Sequence, residues 1–110
     1  MSERSAELLL EDMLESCDRI LEYTKELSFE EFRKNYLVVD AVVRNFTIIG
    51  EAAGRIPDAY KRKHPEIDWD RIRGFRNRIV HDYFGIDYQI VWIIIQKNIP
   101  ELRDLIKHTI

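Results

Sequence analysis

Leu8-Leu-Leu-Glu-Asp-Met-Leu-Glu-Ser-Cys-Asp-Arg-Ile-Leu-Glu-Tyr-Thr-Lys-Glu-Leu27 is the stretch that decides the fold class. Leu10, Met13, Leu14, Cys17, Ile20, Leu21 and Leu27 recur mostly every three or four residues, which is the repeat of one helix face. Glu7, Glu11, Glu15, Asp18 and Glu22 mark the opposite face. The spacing predicts a helix from about Ser5 to Glu26, with one side buried and the other in water.

The same periodicity continues outward. Ser28 and Glu31 have the Ser-x-x-Glu spacing of a capping box and predict a short helix. Val39, Val42, Val43, Phe46, Ile49 and Ala53 make the stripe of a second long helix, about Leu37 to Ala53, with Gly54 placed to end it. Pro57 suits the first turn of another short helix, and Pro65 stops that helix by about Lys63. Asp68 is a good N-cap for a helix from Trp69 to about Tyr83, which Gly85 breaks. Asp87 caps a last helix, Tyr88 to about His108, in which Pro100 should force a kink or a restart.

Four glycines, three prolines and few alternating patterns leave little room for strands. The expectation is an all-α chain: one domain over residues 1–110, a compact helical bundle of four to five helices. Ile90 to Ile95 is apolar on every side and would need cover all round. A domain this small could leave one side bare, which predicts a homodimer with that run at the seam.

At 45% hydrophobic and 34% charged, the chain is expected to be neither disordered nor membrane-spanning. The start, Met1-Ser-Glu-Arg-Ser5, is charged and does not read as a signal peptide. The lone Cys17 falls on the core stripe as a buried structural thiol, which fits a reducing cytoplasm. Charge is uneven. Residues 1–31 hold ten acids and three bases, whereas residues 55–78 hold eight bases and four acids. A local basic surface on an acidic chain suits a polyanion.

Within that basic segment lies Arg76-Asn-Arg-Ile-Val-His-Asp-Tyr83. An arginine can grip a phosphate with two prongs, and a histidine can move a proton near neutral pH. On a regular helix Arg76 and Tyr83 fall about 20° apart, whereas Arg76 and His81 differ by about 140°. The last pair can converge only if the helix loosens or if two subunits share the site. The residue types suit metal-free RNA cleavage. His81 would act as base or acid, Arg76 would stabilise the phosphorane, and Asn77 would orient His81 or bind the phosphate. Tyr83 could stack on a base, and Arg73 and Arg78 could add phosphate contacts. The same residues could instead satisfy nearby carboxylates or helix-end carbonyls, with Trp69, Tyr83 and Phe84 as core aromatics. His64 is expected in solvent, and His108 as a helix-end charge. Three scattered histidines and one cysteine give no metal-ligand spacing, and no cofactor signature is present.

The Arg-x4-His-x-Tyr pattern of Arg76, His81 and Tyr83, with Asn77 beside the arginine, resembles the HepT toxins of the HEPN superfamily. So do three flanking stretches: Asp40 to Ala53, His64 to Trp69, and Gly74 to Asp87. The resemblance covers roughly residues 8–107. It implies a HEPN-like helical bundle that dimerises, with the motif in a cleft between subunits. It implies a metal-independent RNase with Arg76 and His81 catalytic and Asn77 supporting, and loosely places Glu51 nearby. It also implies a partner, an MntA-type nucleotidyltransferase antitoxin that neutralises the toxin by transferring AMP to Tyr83. A noncatalytic module that only binds such a nucleotidyltransferase is the alternative at this stage.

Overall fold

The computed structural model of the chain describes residues 4–75 and 85–110. α1 spans Ala6–Thr24 and starts at Ser5, whose hydroxyl accepts from the Leu8 N–H. α2 spans Phe29–Lys34 and carries the expected capping box. Ser28 Oγ accepts from the Glu31 N–H at 3.1 Å, and the Glu31 carboxylate accepts from the Ser28 N–H at 3.0 Å. The Ser28 N–H, and after it the Ser28 hydroxyl, favour the ionised acid and hold the Glu31 carboxyl below its ordinary range. α3 spans Tyr36–Arg55, with Asn35 Oδ1 accepting from the Val38 N–H. α4 covers Asp58–Lys63 and stops before Pro65, as the proline requires. α5 covers Trp69–Arg73 and is capped by Asp68, whose carboxylate accepts from the Arg71 N–H.

After Gly85, Asp87 caps α6, Tyr88–Ile93, by accepting from the Ile90 N–H. A π-helical turn, Ile94–Asn98, then leads into α7, Ile99–Thr109. The turn follows from Pro100, which has no N–H for the α-helical ladder. The chain absorbs the lost bond by widening one turn, so that the Ile99 N–H donates to Ile94 O, and it restarts with Pro100 in the first turn of α7.

Three long helical runs build the bundle: α1, α3, and the run from Tyr88 to Thr109. α1 packs along α3, α7 lies against α1, and α5 crosses α3. The buried residues form one apolar cluster, with Leu10, Met13, Cys17 and Ile20 from α1 meeting Val42, Phe46 and Ile49 of α3. Cys17 is fully buried, and desolvation pushes its thiol up to about 12. It is the inert structural thiol the spacing predicts. Among the described residues no helix is long and apolar enough to cross a membrane.

Two expectations need correction. Gly54 does not end α3. The helix runs on through Arg55, and Gly85, with φ of 86°, is the glycine with positive φ among the described residues. The run Ile90 to Ile95 is also covered in large part by its own chain. Val91, Ile94 and Ile95 are buried, and Ile90 and Trp92 pack partly on the core. α2 folds over Trp92, with Phe32 and Phe29 at ring distances of 5.2 and 6.1 Å. Of the six residues only Ile93 is exposed. The barest large apolar side chains instead start α3: Leu37 at 85% and Tyr36 at 71% exposure.

Candidate functional site

The basic eight-residue motif lies between two fixed points. On its N-terminal side, Phe75 is 2% exposed and stacks on Phe46 of α3, with ring centroids 5.9 Å apart. α5 reaches that position by crossing α3 at Gly50. A methyl placed on Gly50 would meet the Arg73 carbonyl at 3.6 Å and the Ile72 carbonyl at 3.7 Å, so the two backbones lie close. One turn on, a methyl on Gly54 would lie 3.7 Å from Arg73 Nε. Arg73 thus lies over Gly54 at an ordinary contact distance. On the C-terminal side, Gly85 takes a left-handed conformation and the Asp87 cap starts α6.

Arg76, Asn77, Arg78, His81 and Tyr83, the sequence-predicted site residues of the motif, lie outside the described residues, as does Phe84. Arg73 lies inside them. It is exposed at the end of α5, with its guanidinium beside α3. Glu51 is exposed on the turn of α3 that α5 crosses, one residue from Gly50, and makes no ion pair with Arg73. Trp69 is buried as a core aromatic, and its indole N–H donates to the His64 carbonyl at 3.1 Å.

His64 is not simply solvated. Its ring packs on Tyr60 at 4.6 Å, and its Nδ1 lies 3.2 Å from Glu66 Oε1. With the Trp69 bond, it ties the end of α4 to the start of α5. No sequence signal marks this role beyond the His-Pro pair. His108 does sit at a helix end, its Nδ1 2.7 Å from the Asp104 carbonyl. Asn45 is a polar residue that the periodicity hides. It is 3% exposed; its Nδ2 donates to the Ala41 carbonyl, while its Oδ1 is buried without a partner among the described residues.

Beside Phe75, between α5 and α7, is a cleft of about 60 Å³ floored by Ile72, Phe75 and Leu102, with Arg71 and Glu101 on its rim. That is room for about two waters, too little for a nucleotide base. Among the described residues no group of three His, Cys, Asp or Glu side chains could hold a metal ion.

The family model described as Ribonuclease HepT-like matches residues 13–109, a span that includes the whole motif. A candidate RNase of Caldanaerobacter subterraneus is 41% identical over 98 residues, covering 89% of this chain and 88% of that protein. A candidate HepT ribonuclease of Thermococcus cleftensis is 40% identical over 100 residues, covering 91% of each. A candidate RNase of Methanocaldococcus jannaschii is 38% identical over 103 residues, covering 94% of each. No solved structure matches significantly. With a matching family model over nearly all of its length and relatives of its own size, the chain belongs to the HepT-like ribonuclease family.

Proposed function

We propose that the chain is a metal-independent endoribonuclease toxin that cleaves RNA through Arg76 and His81 in a cleft between two copies. The observation that carries this reading is the family match across residues 13–109, which spans the Arg-x4-His pattern. His81 takes the proton of a 2′-hydroxyl, and that oxygen forms a bond to the adjacent phosphorus. The bond from phosphorus to the 5′-oxygen breaks, and the leaving oxygen takes a proton from an acid, for which His81 of the second copy is the natural source. Arg76 neutralises charge on the phosphorane, Asn77 orients the imidazole or the phosphate, and Arg73 and Arg78 hold phosphates outside the centre. The products are a 2′,3′-cyclic phosphate and a 5′-hydroxyl.

Sharing the site fits the roughly 140° between Arg76 and His81 on a regular helix. The exposed Tyr36, Leu37 and Ile93 supply apolar surface for a homodimer. An MntA-type nucleotidyltransferase is the antitoxin. AMP on Tyr83 would add negative charge beside the phosphate-binding arginines and close the site to RNA.

The test is cleavage of single-stranded RNA by the purified protein in EDTA. Loss of about 100-fold or more in kcat is expected for Arg76→Ala and for His81→Ala, with the fold intact by circular dichroism. Full cleavage by both folded variants would overturn the assignment of the centre. Co-expression with the nucleotidyltransferase and mass spectrometry should place an AMP-sized addition on Tyr83. A Tyr83→Phe variant that is still neutralised and still gains AMP would place the modification elsewhere.

A further inference from the structure

Arg4, Arg19, Lys25, Arg33 and Arg103 each lie within ion-pair distance of a carboxylate. Lys34, Arg44, Lys97 and Lys107 make no ion pair among the described residues, but they are scattered along the chain. Between Arg55 and Arg73 such cations come in a cluster. Among the described residues Arg55, Lys61, Arg62, Lys63, Arg71 and Arg73 make no ion pair. All but the half-buried Lys61 are exposed. The acids of this segment are placed elsewhere. Asp58 and Asp70 sit in the first turns of α4 and α5, Asp68 caps α5, and Glu66 lies against His64.

These cations are gathered at one end of the bundle. Arg55 is the last residue of α3, and Arg73 lies over Gly54 just before it. α4 follows directly, and the Trp69 bond to the His64 carbonyl clasps its end to α5. Two residues beyond Arg73 comes Phe75, the buried anchor from which the motif continues. A cation in a last turn is a common response to helix-end carbonyls, worth about 0.3–1 kcal/mol. Three consecutive cations ending a six-residue helix exceed what that requires. On α1, by contrast, Glu15, Asp18 and Glu22 are matched by Arg19, Arg103 and Lys25, so that face offers a polyanion no cluster of unpaired cations among the described residues.

We propose that Arg55 and the Lys61-Arg62-Lys63 run of α4 extend the phosphate-binding surface beyond the motif. This tract would hold the backbone of single-stranded RNA that flanks the cleaved bond. The proposal rests on the RNase reading and adds to it where the substrate lies. Tyr60, the aromatic of α4, packs on the core and on His64, so the helix offers phosphate contacts without a stacking platform. The contact is therefore expected to be tolerant of sequence and sensitive to salt.

The experiment uses the full chain and a fluorescent, uncleavable 20-nucleotide 2′-O-methyl RNA, with anisotropy followed across a NaCl series. Single-strand contacts contribute about 0.7 each to the slope of log Kobs against log salt, so Lys61→Gln/Arg62→Gln/Lys63→Gln should lower the slope by about 2. Affinity at low salt should fall at least about tenfold. Lys107→Gln, on α7, should leave both unchanged. Cleavage of a dinucleotide, which has no flanking phosphates for the tract to hold, should stay within about twofold of wild type, which separates this tract from the centre. A triple variant with wild-type slope and affinity, in a protein that cleaves RNA, overturns the tract and leaves the RNase reading standing. The tract is equally overturned if RNA binding is kept and only binding to the nucleotidyltransferase is lost. A folded wild type that neither binds nor cleaves RNA overturns the RNase reading first and the tract with it.

Discussion

Replacing Gly50 tests how α5 is seated on α3, and with it where the motif begins. Gly50 lies inside a helix at ordinary negative φ, so it gains nothing from glycine's freedom. There a glycine costs about 0.5–1 kcal/mol relative to alanine. The space opposite it decides the outcome. An alanine methyl would stand 3.6 Å from the Arg73 carbonyl, 3.7 Å from that of Ile72 and 4.0 Å from Arg73 Cα. These are ordinary contact distances, so Gly50→Ala should stabilise by about 0.5–1 kcal/mol, roughly 2–5 °C in Tm for a chain of this size. Valine adds two methyls beyond that point. Their neighbours are backbone carbonyls, which cannot swing aside as a side chain can. Gly50→Val should therefore overpack the crossing and destabilise by about 1–3 kcal/mol. The pair should differ by about 2–4 kcal/mol in urea unfolding at equal m-value, a comparison that cancels much of the unfolded-state effect. A Gly50→Ala protein less stable than wild type would mean a tighter crossing than these distances allow, a Gly50→Val protein as stable as Gly50→Ala would mean a looser one, and either result would refute the reasoning. Under the RNase reading, Gly50→Val should also lose cleavage while still folded, because it displaces the Phe75 anchor.

Cys17 gives a pH-dependent prediction. Its thiol is held at about 12 in the fold by burial, while in the unfolded chain it ionises near 9. Its contribution to stability is complete below pH 9 and is lost as pH rises from about 9 to about 12, at about 1.4 kcal/mol per pH unit. Urea unfolding of wild type and Cys17→Ala across that range should show the extra slope in wild type alone, and parallel curves would contradict it. Gly85→Ala should cost about 1–2 kcal/mol in thermal unfolding from the φ of 86° alone, since nothing lies within 4 Å of the added methyl. An unchanged Tm would mean that the positive φ is not required there.

The helices were legible because their signals are local. The apolar steps of α1 and α3, the Ser28–Glu31 capping box, and the caps at Asp68 and Asp87 lie within a turn or two of what they determine. Readings that depend on distant partners were less legible. Gly54 carries a helix-stop signal, yet the helix runs past it. The run Ile90 to Ile95 is apolar on every side, and much of its cover comes from its own chain, with Phe29 and Phe32 packed on Trp92. The ribonuclease family was legible from the motif together with its flanking stretches. The anchoring of Phe75 was not, because the Phe46–Phe75 stack and the Gly50 crossing each join segments with no local signature in common.

That division bears on how the proposed centre could work. The motif is bordered in sequence by a ring buried against α3 on one side, and by a left-handed glycine followed by a capped helix on the other. Acids at the starts of α4 and α5 serve the helices, and among the described residues the cations at their ends have no carboxylate partner. On the proposed reading, RNA and an AMP carried on Tyr83 would compete for those unpaired cations. One electrostatic surface would then serve both to hold the substrate and to receive the group that shuts the site.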